Sequence, residues 1–299
     1  MKLARGALTI CFACCALLLG GRVRAEPMDY VYGYFSKTGD HDNFVFALIK
    51  EALTRTEAKW GPYELHTVPE VPRNRQIREL ETGTGSITFA VLGTAHDIAK
   101  HLRPILIPVD KGLVGYRLLL VRRIDQKRFG AVHAPAGLKP FSFGLNFIWD
   151  DVDILRANGL TVQTGDDFDG LFQMLSRDRF DAFPRGVGEI GREFQEYGPL
   201  YPDLEIEKDL LIHYTLPVYV WFARNPAGEK LAERLEEGLR AMIDDGSYDS
   251  IFWKYNRPVL DGLGLAHRRV LTLNNPYLPP DTPLGDSRLW LSPEQLGVR

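Results

Sequence analysis

LPVYVWFARNPAGEKLAERLEEGLRAMIDDGSYDSIFWKYN, residues 216–256, is the stretch whose reading decides the fold. Pro217–Ala223 alternates in the manner of a strand. Residues 229–243 then carry Leu231, Leu235, Leu239 and Met242 at helical spacing. The turn Asp245-Gly246-Ser247-Tyr248 leads into a second helix, 248–255, with Tyr248, Ile251, Phe252 and Tyr255 on one face.

Working back from this segment, strand-like and helix-like stretches alternate. Strands are expected at 31–35, 63–68, 87–92, 113–121, 141–145, 160–163, 180–183, 204–206 and 211–214. Helices are expected at 43–54, 75–80, 152–158, from 167 onward, and at 188–196. The helix starting at Asp167 is the clearest, with Phe168, Leu171, Phe172 and Leu175 on one face. Strands separated by helices imply βαβ units and parallel sheets, an α/β fold. The tail, 276–293, is rich in proline; Tyr277, Leu278, Leu284, Leu289, Trp290 and Leu291 suggest an extended wrap that docks on the surface.

The chain has 299 residues and a net charge of −3, with 45% apolar and 25% charged residues. That balance excludes disorder, collagen and coiled coil, and is too acidic for a nucleic-acid binder. The N-terminus, MKLARGALTICFACCALLLGGRVRA, has a basic start (Lys2, Arg5), an apolar run, and Val23-Arg24-Ala25 as a cleavage signal. It reads as a signal peptide, residues 1–25, cut after Ala25. The run is too short for a membrane span. Its removal takes away Cys11, Cys14 and Cys15 and four basic residues, leaving 274 residues with 32 basic against 39 acidic side chains, a net charge of −7. A cysteine-free exported chain points to a bacterial periplasm.

Three stretches in order carry a family resemblance. Residues 216–256 resemble the closing segment of type II periplasmic solute-binding proteins, family 3, the amino-acid branch. Asp245-Gly246-Ser247-Tyr248, Ile251 and Lys254-Tyr255 supply the match. DFDGLFQMLSRDRFDAFPRG, 167–186, is similar to the family's helix and "RFDA" strand, and RELETGTGSITFAVLGT, 78–94, to its first-lobe counterpart. The resemblance covers roughly residues 30–280. It implies an α/β two-lobed type II fold with two hinge crossovers, Leu113–Val121 leaving the first lobe and Pro217–Ala223 returning. The first lobe is then 26–118 plus 222–299, including the extension 276–299, and the second is 119–221. It also implies a monomer that takes a small-molecule solute in the cleft, closes on it, and delivers it to a membrane permease of the ABC type.

The binding residues depart from the family pattern. Thr94 matches, but Ile98 stands where the resemblance implies an arginine that clamps an α-carboxylate. Arg185 follows Asp181-Ala182 where a carboxylate is expected for an α-amino group. Both changes work against an ordinary α-amino acid and allow an anionic or neutral solute, with Arg185 as one clamp. The plainer reading of Arg185 is a salt bridge, with Glu189 as partner. Arg117 in the hinge strand and Arg75, in a cluster with Arg73 and Arg78, are further candidates, against solvated or paired roles. Tyr34, at the end of the first strand, and Trp149, before Asp150-Asp151, are candidate aromatic platforms or core. Asp150 and Asp151 are expected to satisfy the first amides of the helix they begin.

Gly186-Val187-Gly188-Glu189-Ile190-Gly191 spells a dinucleotide-type pattern, but Pro184-Arg185 interrupts its approach, so turn glycines explain it better. The seven histidines form no metal-ligating pair in sequence, and no nucleophile elbow is present, so no metal or cofactor is expected. Two other functions fit the same fold. One is a periplasmic dehydratase of cyclic acids, cyclohexadienyl type, needing Glu189 or His96 as general acid. The other is a sensor or accessory module serving a membrane receptor or a periplasmic enzyme.

Overall fold

The computed structural model of the chain describes residues 26–33, 40–69, 71–94 and 98–298. The expected leader lies outside these residues, as do Tyr34 and His96. The chain opens with β1 (Met28–Gly33), α1 (Asp40–Arg55), α2 (Glu57–Trp60), β2 (Tyr63–Val68), α3 (Arg73–Thr82), β3 (Phe89–Gly93), α4 (Ile98–His101) and β4 (Leu102–Ile105). A second run follows: β5 (Tyr116–Arg122), α5 (Gln126–Gly130), β6 (Ser142–Asn146), α6 (Asp151–Ala157), β7 (Thr161–Gly165), α7 (Phe168–Ser176), β8 (Ala182–Gly186), α8 (Ile190–Tyr197), β9 (Leu204–Ile206) and β10 (Leu210–His213). The chain closes with β11 (Val218–Ala223), α9 (Pro226–Asp245), α10 (Ser247–Leu260) and β12 (Arg269–Thr272).

These elements form two lobes. In the first, β11 lies between β3 and β4, antiparallel to both, and β1 pairs with β2 in parallel. Thr88 joins the two sheets, since its backbone N–H donates to the Val31 carbonyl at 2.8 Å. Behind them, α9 begins at Asn225, whose side chain accepts from the Gly228 amide, and stops at Gly246, where φ is +80°. Its Gly238 sits so close to α1 that a Cβ would lie 2.1 Å from the Ala52 carbonyl oxygen. In the second lobe the strand order is β12-β10-β5-β8-β6-β7, with β9 also on β5. The sheet is mixed rather than parallel, because β5 runs antiparallel to β8, β9 and β10.

Two expected boundaries move. The divisions at 118 and 222 fall inside β5 and β11, and each of those strands belongs whole to one sheet. β5 is paired on both sides and buried at every residue, so it cannot be shared between lobes. The chain crosses over residues 106–115 and returns over 214–217, just before these strands. The C-terminal segment also does not stay with the first lobe, because β12 pairs in parallel with β10 of the second. Its arginines hold it there: Arg268 donates to the carbonyls of Glu207 (2.5 Å) and Leu210 (3.0 Å), and Arg269 to those of Gly130 (2.6 Å) and Val132 (3.1 Å).

The tail then runs back over both crossovers, docked as expected. Asn275 donates to the Thr215 carbonyl at 2.9 Å, and the Leu291 amide to the Lys111 carbonyl at 2.9 Å. The Tyr116 hydroxyl donates to the Leu291 carbonyl at 2.7 Å, and Leu289, Leu291, Leu296 and Val298 are buried. Leu284 is the exception and stays exposed. Lys111 is buried beneath the tail, its ammonium held by Asp249 and the Arg288 carbonyl. Among the described residues, no helix is long and apolar enough to cross a membrane.

Candidate functional site

Two neighbouring features occupy the junction of the lobes: an open cavity and, behind it, a closed polar network. Both are organised by the end of β6 and the start of α6. Asn146 turns the chain there, its side-chain oxygen accepting from the Ile148 amide at 3.1 Å. The turn delivers Trp149, Asp150 and Asp151 in succession, and these residues point to different partners.

Asp150 faces the first lobe. Arg73, the first residue of α3, donates through Nη2 to the Gly93 carbonyl (3.1 Å) and to Asp150 Oδ2 (3.3 Å). This bridge joins the end of β3 to the start of α6. Burial raises the Asp150 carboxyl above its ordinary range, with Arg73 opposing that shift. Thr94, next to Gly93, is buried and donates its hydroxyl to the Pro217 carbonyl at 2.9 Å, fixing the returning crossover.

Asp151 faces inward. It meets Arg117 of β5 at 2.7 Å and accepts from the Tyr214 hydroxyl, while Arg117 Nε donates to the Tyr214 oxygen at 3.1 Å. Neither carboxylate therefore does the capping expected of it. Asp150 makes no side-chain cap bond, because distant arginines take both acids.

Arg185, at the end of β8, lies in the same buried layer. Its Nε and Nη2 donate to the two oxygens of Glu193 at 2.6 Å each, and Nη2 lies 3.1 Å from Glu189. The guanidinium stacks against Trp149 at 4.6 Å, and against Phe168 and Phe183 at 5.2 Å each. Burial disfavours its charge, but Glu189 and Glu193 outweigh that and raise its pKa. The same holds for Arg117, where burial is overcome by Asp151, Tyr214 and Glu189. The salt-bridge reading of Arg185 thus describes the structure, with Glu193 as the main partner. Glu189 also accepts from the Gly186 amide at 3.2 Å, so a carboxylate of the chain fills the glycine turn in place of a phosphate.

The structure thus brings together Arg117, Arg185, Glu189 and Trp149, and places Thr94 beside the cavity. Arg75 stands apart, exposed on α3 and paired with Glu79 at 2.7 Å. Sequence reading missed Glu193, Tyr214 and Asp151 as partners; Glu189 and Glu193, one helical turn apart after Arg185, were the available signal.

The cavity measures about 470 Å³ and lies between α3, α4, the start of α6 and the tail. Arg73, Glu81, His101, Asp150 and Asp153 supply its charged groups, and Ile77, Ile98, Ile148 and Ile154 its apolar wall. Asn275 and Tyr277 of the tail complete it. Elsewhere, the β1–β2 register sets Asp29 opposite Glu64, and His66 Nε2 lies 3.1 Å from Glu64 and 3.8 Å from Asp29. That exposed trio, a grouping with the geometry to hold a metal ion, comes from pairing across strands, which spacing along the chain does not reveal.

No protein-family model matches the chain, and no curated protein does. Solved structures do. An ancestral arginine-binding protein bound to arginine is similar with a TM-score of 0.51 at 16% identity, over 76% of this chain and 98% of that one. A Salmonella typhimurium periplasmic binding protein of high arginine specificity gives 0.53 at 15%, over 76% and 99%. The GluR0 ligand-binding core in complex with L-glutamate gives 0.53 at 11%, over 78% and 99%. These proteins are matched nearly whole, whereas about a quarter of this chain lies outside each alignment. With a three-stranded and a two-stranded sheet in one lobe, a seven-stranded mixed sheet in the other, and these neighbours, the chain has the two-lobed α/β fold of type II periplasmic binding proteins.

Proposed function

We propose that this chain is an exported solute-binding protein that captures a small polar molecule between its lobes and hands it to a membrane permease of the ABC type. The observation that carries this reading is the cavity of about 470 Å³, lined from both lobes and spanned at one edge by the Arg73–Asp150 bridge. Its size falls within the range of small-molecule sites. A solute that touches both walls favours the closed arrangement by the difference in its affinity for the two states, which is the mechanism of capture. The fold supports the reading, because such clefts at lobe junctions are where ligands of this architecture sit.

An anionic solute is the weaker version of the proposal. Arg117 and Arg185 are both paired with carboxylates, and freeing either leaves a buried acid unmatched. The test is thermal unfolding of the mature protein against a broad panel of metabolites. Stabilisation by a subset of small polar solutes is expected, following the mass-action relation for a ligand that binds only the native state. A panel that stabilises nothing at millimolar concentration refutes solute capture.

A further inference from the structure

Resting on solute capture as the function of this cavity, we infer that it selects a small organic cation without a carboxylate, such as an amine or guanidinium on an aliphatic stem. Three observations converge. The first is charge. Glu81, Asp150 and Asp153 face the cavity from α3 and the start of α6. Arg73 is already bound to the Gly93 carbonyl and Asp150, and His101 Nδ1 lies 4.0 Å from Glu81. The described lining thus holds three carboxylates against one arginine and one histidine.

The second is the state of the arginines behind the cavity. A solute carboxylate needs a donor cation, and Arg73, the arginine of the described lining, is already bonded to the Gly93 carbonyl and Asp150. Arg117 and Arg185 cannot substitute without abandoning Asp151 and Glu193, each buried and held at 2.7 and 2.6 Å. The third is shape and polarity. Ile77, Ile98, Ile148 and Ile154 give the cavity an aliphatic wall beside its acidic rim. That pairing suits a hydrocarbon stem ending in a charged donor.

The experiment uses matched probes that differ by one carboxylate: agmatine against L-arginine, and 1,4-diaminobutane against L-ornithine, with succinate as the anion. Isothermal titration of the mature protein is expected to show agmatine or 1,4-diaminobutane binding at least tenfold more tightly than its amino-acid partner, and no binding of succinate. Asp153→Asn, an exposed substitution that leaves the buried network intact, is expected to weaken the cation about fivefold to tenfold without lowering the melting temperature. Equal or tighter binding of the amino acids, or binding of succinate, overturns the inference. If these cations fail while other solutes of the panel stabilise the protein, the cation class is refuted and solute capture stands. If nothing in the panel binds, solute capture falls first and the inference with it.

Discussion

Removing Glu193 tests whether Arg185 is structural. Glu193→Ala takes away both hydrogen bonds at 2.6 Å from a guanidinium whose side chain is only 7% exposed. Breaking a buried pair by deleting one partner costs about 3–5 kcal/mol, because the other charge is left uncompensated. Glu189 remains 3.1 Å away but its side chain is 41% exposed, so it offsets only part of this loss. The expected loss is about 3 kcal/mol, read from urea unfolding followed by tryptophan fluorescence, with Trp149 stacked on the guanidinium. The double variant Arg185→Met/Glu193→Met removes both charges and leaves an apolar chain among Trp149, Phe168 and Phe183. It is expected to recover to within about 1 kcal/mol of the native protein. A Glu193→Ala loss below about 1 kcal/mol, or a double variant as unstable as the single, refutes the argument. So does a native protein that binds succinate through Arg185 and loses it in Arg185→Met.

Two further outcomes concern other parts of the fold. Burial lowers the His213 imidazole to about 4, where its ring stacks on Tyr116 at 4.2 Å. The unfolded chain, titrating near about 6.5, therefore binds the proton first. The contribution is fully present above that pH and is lost as pH falls toward 4, and His213→Gln is expected to flatten that part of the stability–pH curve. Gly238→Ala puts a methyl group 2.1 Å from the Ala52 carbonyl oxygen, so α1 and α9 must separate; a loss of about 1–3 kcal/mol is expected by chemical denaturation, and a neutral result contradicts the packing.

The elements that were legible in the sequence are those whose signal is local. β2 is found at Tyr63–Val68 as the alternation predicts, and α9 and α10 follow their apolar stripes, closed at Gly246. β4 and β12 were missed because their four residues each carry no alternation. β4 contains Pro104, tolerated because β4 pairs on one side only, with β11. Arg268 and Arg269 look like surface residues until their carbonyl partners, 58 to 139 residues away, are known. The site divides the same way. An arginine after β8 was visible, but whether it faced a solute or an acid depended on how the chain folds back after Gly186. Asp150 and Asp151 read as helix caps from their neighbours alone, whereas Arg73 and Arg117 reach them from 77 and 34 positions earlier.

The docked tail changes the kind of joint that links the lobes. Two chain passages alone allow twisting as well as bending. Here a third passage ends in β12, and the tail is bonded to the backbone of both crossovers, at Thr215 and at Lys111. Such cross-bracing is expected to narrow the set of angles between the lobes. Apparent affinity equals the intrinsic affinity scaled by the fraction of molecules already able to bind. If the chain captures solutes as proposed, bracing near the binding-competent angle would tighten capture of every solute by the same factor. Under the proposed capture function, the tail beyond Tyr277 would then set how strongly the cleft holds a solute, while the cavity lining, to which Asn275 and Tyr277 contribute, would set what it holds.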